Sequence, residues 1–211
     1  TFTTSANSCA DAVTVVSVVV NPTPTLTNLP DVTTICSGDQ LSFVPTSDVA
    51  GVVFTWSSAI SANITGNTAT GVGPITNTLV NTGDAIETVT YTVTATGPGP
   101  EFCVSATSED YVVTVDPVVT QVISNNDAVV CEGIAVDIDY DSPTENALMS
   151  VQAVYPGGVT GSVDYSASTP LVFPGTIAET LDNPTSIPQT VTYTFTTSAN
   201  SCADAVTVVS V

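Results

Sequence analysis

The chain has 211 residues, no lysine, arginine or histidine, and 20 carboxylates, giving a formal net charge of −20. That composition excludes a cationic grip on nucleic-acid phosphates and docking on an anionic membrane surface. It also removes the imidazole that binds zinc, the P-loop lysine and the ordinary bases that activate a Ser, Thr or Cys nucleophile. Only carboxylate pairs or an oxygen-held metal remain for chemistry. No Asp-Thr-Gly or Asp-Ser-Gly stands anywhere, and the expectation is a protein without catalytic residues that requires no cofactor. With 43% hydrophobic residues and scattered acids, the chain is a folded one rather than an acidic tail.

The expected elements are strands. Thr and Val make up about a third of the chain, and both favour the pleated backbone. The longest apolar run, Ala12 to Val20, has strand length and falls far short of the ~20 residues that span a bilayer, so no membrane insertion is expected. Asn21-Pro22-Thr23-Pro24-Thr25 reads as an extended spacer. A turn at Ser37-Gly38-Asp39 leads to Leu41 and Phe43, then to a strand holding Val53, Phe54 and Trp56. After Thr82-Gly83-Asp84, the alternation of Val89, Tyr91 and Val93 with Thr makes one face apolar and the other polar. Gly97-Pro98-Gly99-Pro100 turns the chain into a strand with Tyr111, Val113 and Val115 inward, closed by Asp116-Pro117. Beyond Pro156-Gly157-Gly158, Val191, Tyr193 and Phe195 repeat the alternation. Short strands between Gly/Pro turns, with no helical period, predict an all-β fold of sandwiches.

Internal repetition sets the organisation. Thr1 to Val18 reads TFTTSANSCADAVTVVSV, and Thr194 to Val211 is identical, so the period is 193 residues. The simplest source is a tandem array, with the chain reading as an internal piece that continues past Val211 as it does past Val18. Strand exchange between separate subunits is the alternative. A weaker repeat lies inside the unit. Thr33-Thr34-Ile35-Cys36-Ser37-Gly38 resembles Ala128-Val129-Val130-Cys131-Glu132-Gly133, and Val89 to Val93 matches Val191 to Phe195. The expected domains are 1–20, the end of a preceding unit's second domain; 21–116, a first sandwich; and 117–211, a second. Roughly 95 residues is an ordinary sandwich size.

Five cysteines, Cys9, Cys36, Cys103, Cys131 and Cys202, fall at corresponding places in the repeats. One pair per domain predicts Cys36 with Cys103 and Cys131 with Cys202, leaving Cys9 to a partner outside the fragment. Regular placement points to disulfides and an oxidising compartment, against buried free thiols.

Other candidates are weaker. Asp137, Asp139 and Asp141 alternate and so share one strand face; calcium, with Glu132 or Glu145 in reach, competes there with a plain solvated acidic face. Asn125-Asn126-Asp127 and Ser108-Glu109-Asp110 fall near the expected domain junction, where calcium would stiffen an array. Asn63-Ile64-Thr65 fits a glycan acceptor. Trp56, between Cys36 and Cys103, reads as core filler in preference to an immunoglobulin-type tryptophan stacked on a disulfide.

Cys36-Ser37-Gly38, Phe43, Pro45, Phe54, Trp56, Asn81-Thr82-Gly83, Val89 to Val93, Cys103 and Val113 to Pro117 together resemble the PKD-like, immunoglobulin-type repeats of giant Bacteroidetes surface proteins. Near-identical long repeats are most similar to the gliding-motility adhesins of flavobacteria. The second domain keeps Cys131, Gly133, Val191 to Phe195 and Cys202 but lacks the Trp and the Asn-Thr-Gly. The resemblance implies an extended array of tandem PKD-like sandwiches, type IX secretion and display on the cell surface. The implied partners are neighbouring repeats of the same chain and an external surface or polysaccharide, with no nucleic acid. A surface coat or bundled filament and a carbohydrate-binding module are the competing readings.

Overall fold

The computed structural model describes residues 1–4, 12–30 and 32–211. It is all-β, without a helix among the described residues. Strands β1 (Phe2–Thr4) and β2 (Ala12–Thr14) form an antiparallel pair at the N-terminus. The first sandwich contains β3 (Thr33–Cys36), β4 (Val53–Ile60), β5 (Ile64–Thr65), β6 (Thr70–Val72), β7 (Val80–Asn81), β8 (Glu87–Thr96) and β9 (Glu109–Asp116). Its main sheet runs β3-β9-β8-β4-β6, with β3 parallel to β9 and the other pairs antiparallel. The facing layer is built from the β5–β7 pair and the bridges Gln40–Thr78 and Phe43–Ile75.

The alternation in β8 works as the pleat requires. Val89, Tyr91 and Val93 are fully buried, and the intervening threonines are half-buried on the outer face. Leu41, Phe43, Ile64, Ile75 and Leu79 meet them from the facing layer. Trp56 packs edge-on against Tyr91, with centroids 5.5 Å apart. Gly71 lies opposite Trp56 in the ladder, and a Cβ there would sit 2.1 Å from the indole. The tryptophan is core, and its ring meets a tyrosine edge-on rather than stacking on a disulfide.

The second sandwich comprises β10 (Val122–Asn125), β11 (Ile138–Asp141), β12 (Leu148–Val154), β13 (Thr160–Gly161), β14 (Thr169–Leu171), β15 (Gly175–Ile177), β16 (Leu181–Asp182), β17 (Thr192–Ser198) and β18 (Ala205–Ser210). Sheet β14-β12-β17-β18 faces sheet β10-β11-β15 and the β13–β16 pair. The register superposes on the first sandwich: Trp56 pairs with Val93, and Val151 pairs with Phe195. Val151 thus stands where the first sandwich has its indole. Its core gathers Val136, Ile138, Met149, Val151, Ile177, Tyr193 and Phe195.

One polar pair differs in kind between the cores. The hydroxyl of Tyr91 donates to Asn77 Oδ1 at 2.9 Å. In the second core, Tyr193 donates to Glu179 Oε1 at 2.5 Å and Tyr155 donates to the same carboxylate at 2.9 Å. Glu179 is 1% exposed. Burial pushes its carboxyl up, against the two tyrosine hydrogen bonds that lower it. Gly161 leaves the room, since a Cβ there would collide with Glu179.

Candidate functional site: a covalent joint between two sandwiches

The chain leaves β9 through Asp116-Pro117, both buried, and enters the second sandwich within a few residues. Cys36 ends β3 in register with Asp116. Cys202 lies in the turn between β17 and β18, and its Sγ is 4.0 Å from Asp116 Oδ2. The two cysteines form a disulfide with a Cα separation of 5.7 Å across 166 residues of sequence. One domain's exit is thereby bonded to the hairpin tip of the next.

This corrects the expected pairs Cys36–Cys103 and Cys131–Cys202. Cys103 lies in the turn before β9, whereas Cys36 lies beside the last residue of β9. The eight residues of β9, at ~3.3 Å each, hold the two cysteines at opposite ends of the sheet. A disulfide needs Cα atoms within about 7 Å. The same holds in the second sandwich, where Cys202 precedes β18 and Cys131 lies at the end near Val211. Cys103 and Cys131 are free thiols in this chain. Cys9 lies outside the described residues.

Hydrogen bonds reinforce the joint. The amide of Ile86 donates to Glu145 Oε2, and the amide of Glu145 donates to the carbonyl of Asp84, each at 2.8 Å. Asn200 Nδ2 donates to the carbonyl of Glu145 at 3.3 Å. Asn146 and Asn200 hold the left-handed φ values of 59° and 54° that these turns require, a conformation asparagine tolerates better than most residues. Ser142 and Thr144 are buried and bind the exit segment through Thr120. Gln121 donates to Thr207 Oγ1 and accepts from Thr197 Oγ1. Burial, and then the Glu145 charge, raise the Asp116 carboxyl. The sequence marks Asp84 only as a turn residue and Glu145 only as a candidate calcium ligand, and marks neither Asn200 nor Gln121 for the joint.

The acidic triad shares a face but not a centre. Ile138 and Tyr140 point inward from β11, so Asp137, Asp139 and Asp141 point outward. Alternate residues on a strand stand ~6.6 Å apart, while calcium draws its oxygens to 2.3–2.6 Å. Asp139 instead accepts from Thr176 Oγ1 at 2.6 Å and Asn126 Nδ2 at 2.9 Å, and these bonds lower its carboxyl below the usual range. Among the described residues no three His, Cys, Asp or Glu side chains converge as a metal site. Glu109 and Asp110 open β9 at the end away from the joint, and Asn125 holds the carbonyl of Ser210. Asn63 donates to Glu87 at 2.7 Å.

The neighbouring Asp182 carboxyl raises that of Glu132. No helix of the described residues is long and apolar enough to cross a membrane.

The family of PKD-like domains matches residues 33–119. No curated protein sequence matches the chain. Two solved structures are weakly similar to it. A protocadherin gammaB7 EC3-6 cis-dimer structure is 13% identical over 90% of this chain, with a TM-score of 0.39. The Yersinia pseudotuberculosis adhesin InvE is 16% identical over 89%, with a TM-score of 0.30. The chain spans 47% and 58% of those two proteins. The PKD-like match covers the first sandwich, and both sandwiches are all-β.

Proposed function

We propose that this chain is the structural unit of a long extracellular filament, a surface adhesin of the gliding-motility kind, built from tandem PKD-like sandwiches and acting by transmitting force rather than by catalysis. The observation that carries this reading is the Cys36–Cys202 bond, which ties two separately cored sandwiches into one covalent body. A disulfide of this kind belongs to an oxidising compartment. The exact 193-residue period supports serial use of the unit. Uniform negative charge discourages misassociation between identical neighbours, since like charges repel within ~8 Å at physiological salt. Absence of Lys and Arg removes every trypsin site.

The test is to label the unit with a fluorescent antibody fragment on living, unpermeabilised cells that display it. Spots that travel along the cell are the expected result. A uniform immobile label replaces the motile adhesin with a coat or bundled filament, and absence of surface label removes the extracellular reading.

A further inference from the structure

The free thiols Cys103 and Cys131 occupy the two halves of a second joint. Cys103 is the hairpin-turn cysteine of the first sandwich, as Cys202 is of the second. Cys202 Sγ rests 4.0 Å from Asp116 of the segment entering its sandwich, and Cys103 Sγ rests 4.0 Å from the carbonyl of Asn21 of the segment entering its own. Asn21-Pro22 is the counterpart of Asp116-Pro117. The ladder proves the correspondence: Val89 pairs with Val113, and Val191 exchanges both backbone hydrogen bonds with Val211, at 2.9 and 3.0 Å. Val211 is identical in context to Val18. Counting on from there, Val20 takes the place of Val115, and Asn21 the place of Asp116.

A vacant groove marks the same place. In the first sandwich β3 runs parallel to the end of β9, Ile35 is in register with Val115, and Val115 is fully buried. The matching segment of the second sandwich, Ala128 to Cys131, has no strand partner. Beside it lies a cavity of about 310 Å³ lined by Val130, Cys131, Val159, Leu181, Val191 and Val211. Val18, Val19 and Val20, meanwhile, are 82–87% exposed at the other end of the chain.

We propose that in the array the Val19-Val20-Asn21 segment of each following unit lies along Ala128–Cys131 of the unit before it and fills this groove, and that Cys131 then forms a disulfide with Cys103 of the following unit. The inference rests on the tandem-array reading. Each bond removes one proton from each thiol and two electrons from the pair. A small-molecule disulfide or an oxidised dithiol catalyst takes the electrons and leaves as two thiols. With both kinds of joint closed, the disulfide loops overlap end to end. Every peptide bond of the interior then lies inside at least one loop, so a single backbone cut cannot sever the filament.

The test uses a chain of two consecutive units, Cys9→Ser, with a site for a sequence-specific protease inserted between Pro22 and Thr23 where that spacer recurs between the units. After cutting, a denaturing gel without reductant is expected to show one species, and a gel with reductant two. Adding Cys131→Ser in the first unit is expected to give two species on both gels. Two species from the parent chain without reductant overturn the proposal. Peptide mapping of the uninserted chain guards against damage by the inserted site. A Cys103–Cys131 bond within one unit, or both thiols free, also overturns it. The intact mass of the natural protein tests the array separately: a chain with no further unit removes the array, whereas a chain that has one but comes apart on cutting removes only the second joint.

Discussion

Phe2 and Phe195 stand in the same eighteen-residue sequence and meet opposite environments: Phe2 is 71% exposed and Phe195 fully buried. Their strand pairings are the same. Phe2 pairs with Thr14 and Thr3 with Val13; Phe195 pairs with Thr207 and Thr196 with Val206. Strand pairing is therefore written locally, in the β-branched alternation of the two strands. Burial is not. Phe195 has β12 beside it, Tyr140 at 6.0 Å and a facing sheet, all encoded elsewhere in the chain. In the tandem array proposed above, the exposed copy is the strand pair whose sandwich lies in the preceding unit.

Substitution sharpens that contrast most strongly at the phenylalanine. Phe195→Ala is expected to cost about 3–5 kcal/mol by loss of buried contacts, and Phe2→Ala nothing measurable, in parallel urea unfolding. Next is the bond at the buried copy's turn. Cys202→Ser is expected to cost roughly 3–5 kcal/mol, because the loop it closes is long, and adding reductant to the parent chain should reproduce the loss.

Under the array proposal, extending the chain past Val211 with the residues that follow Val18 is expected to complete the buried copy. Filling the groove with one valine is expected to add about 2 kcal/mol, read as a higher urea midpoint. Val20→Asp in that extension should abolish the gain.

Glu179 gives a smaller, pH-dependent difference between the cores. Its folded carboxyl is raised above its ordinary value, so the folded state holds the proton more tightly than the unfolded chain. The stability this contributes is present below the unfolded value and is lost as pH rises through the folded one. Glu179→Gln is expected to flatten the fall in stability above about pH 4.5, measured by thermal melts across pH; an unchanged slope would remove Glu179 as its source. Asp139→Asn, on the outer face, should move stability by less than about 0.5 kcal/mol, and a calcium chelator should leave the melt of the parent chain unchanged.

Much of this was legible in advance. The alternation of Val89, Tyr91 and Val93, and of Val191, Tyr193 and Phe195, marks inward faces because a strand has a period of two. The all-β class follows from the same pattern, and so does the shared outward face of Asp137, Asp139 and Asp141. The disulfide pairing was not legible. Spacing along the chain counts residues between cysteines, whereas bonding depends on which end of a sheet each occupies, and β3 running parallel to β9 puts Cys36 at the end away from Cys103. The part Glu145 plays in the joint was hidden for a similar reason: its partner, the amide of Ile86, is 59 residues away and becomes adjacent only when the two sandwiches meet. Only comparison of the two repeats, through the equal seats of Asn21 and Asp116, turns the cysteine positions into a pattern.

Pulling single molecules of this chain by their two ends, oxidised and then reduced, tests the joint most directly. With Cys36 bonded to Cys202, the 166 residues between them are shielded from force, so reduction should add roughly 580 Å of extension at ~3.5 Å per residue as the gain from opening one bond. Equal extensions in both states, or two separate shorter gains matching bonds within each sandwich, would contradict a covalent joint between them.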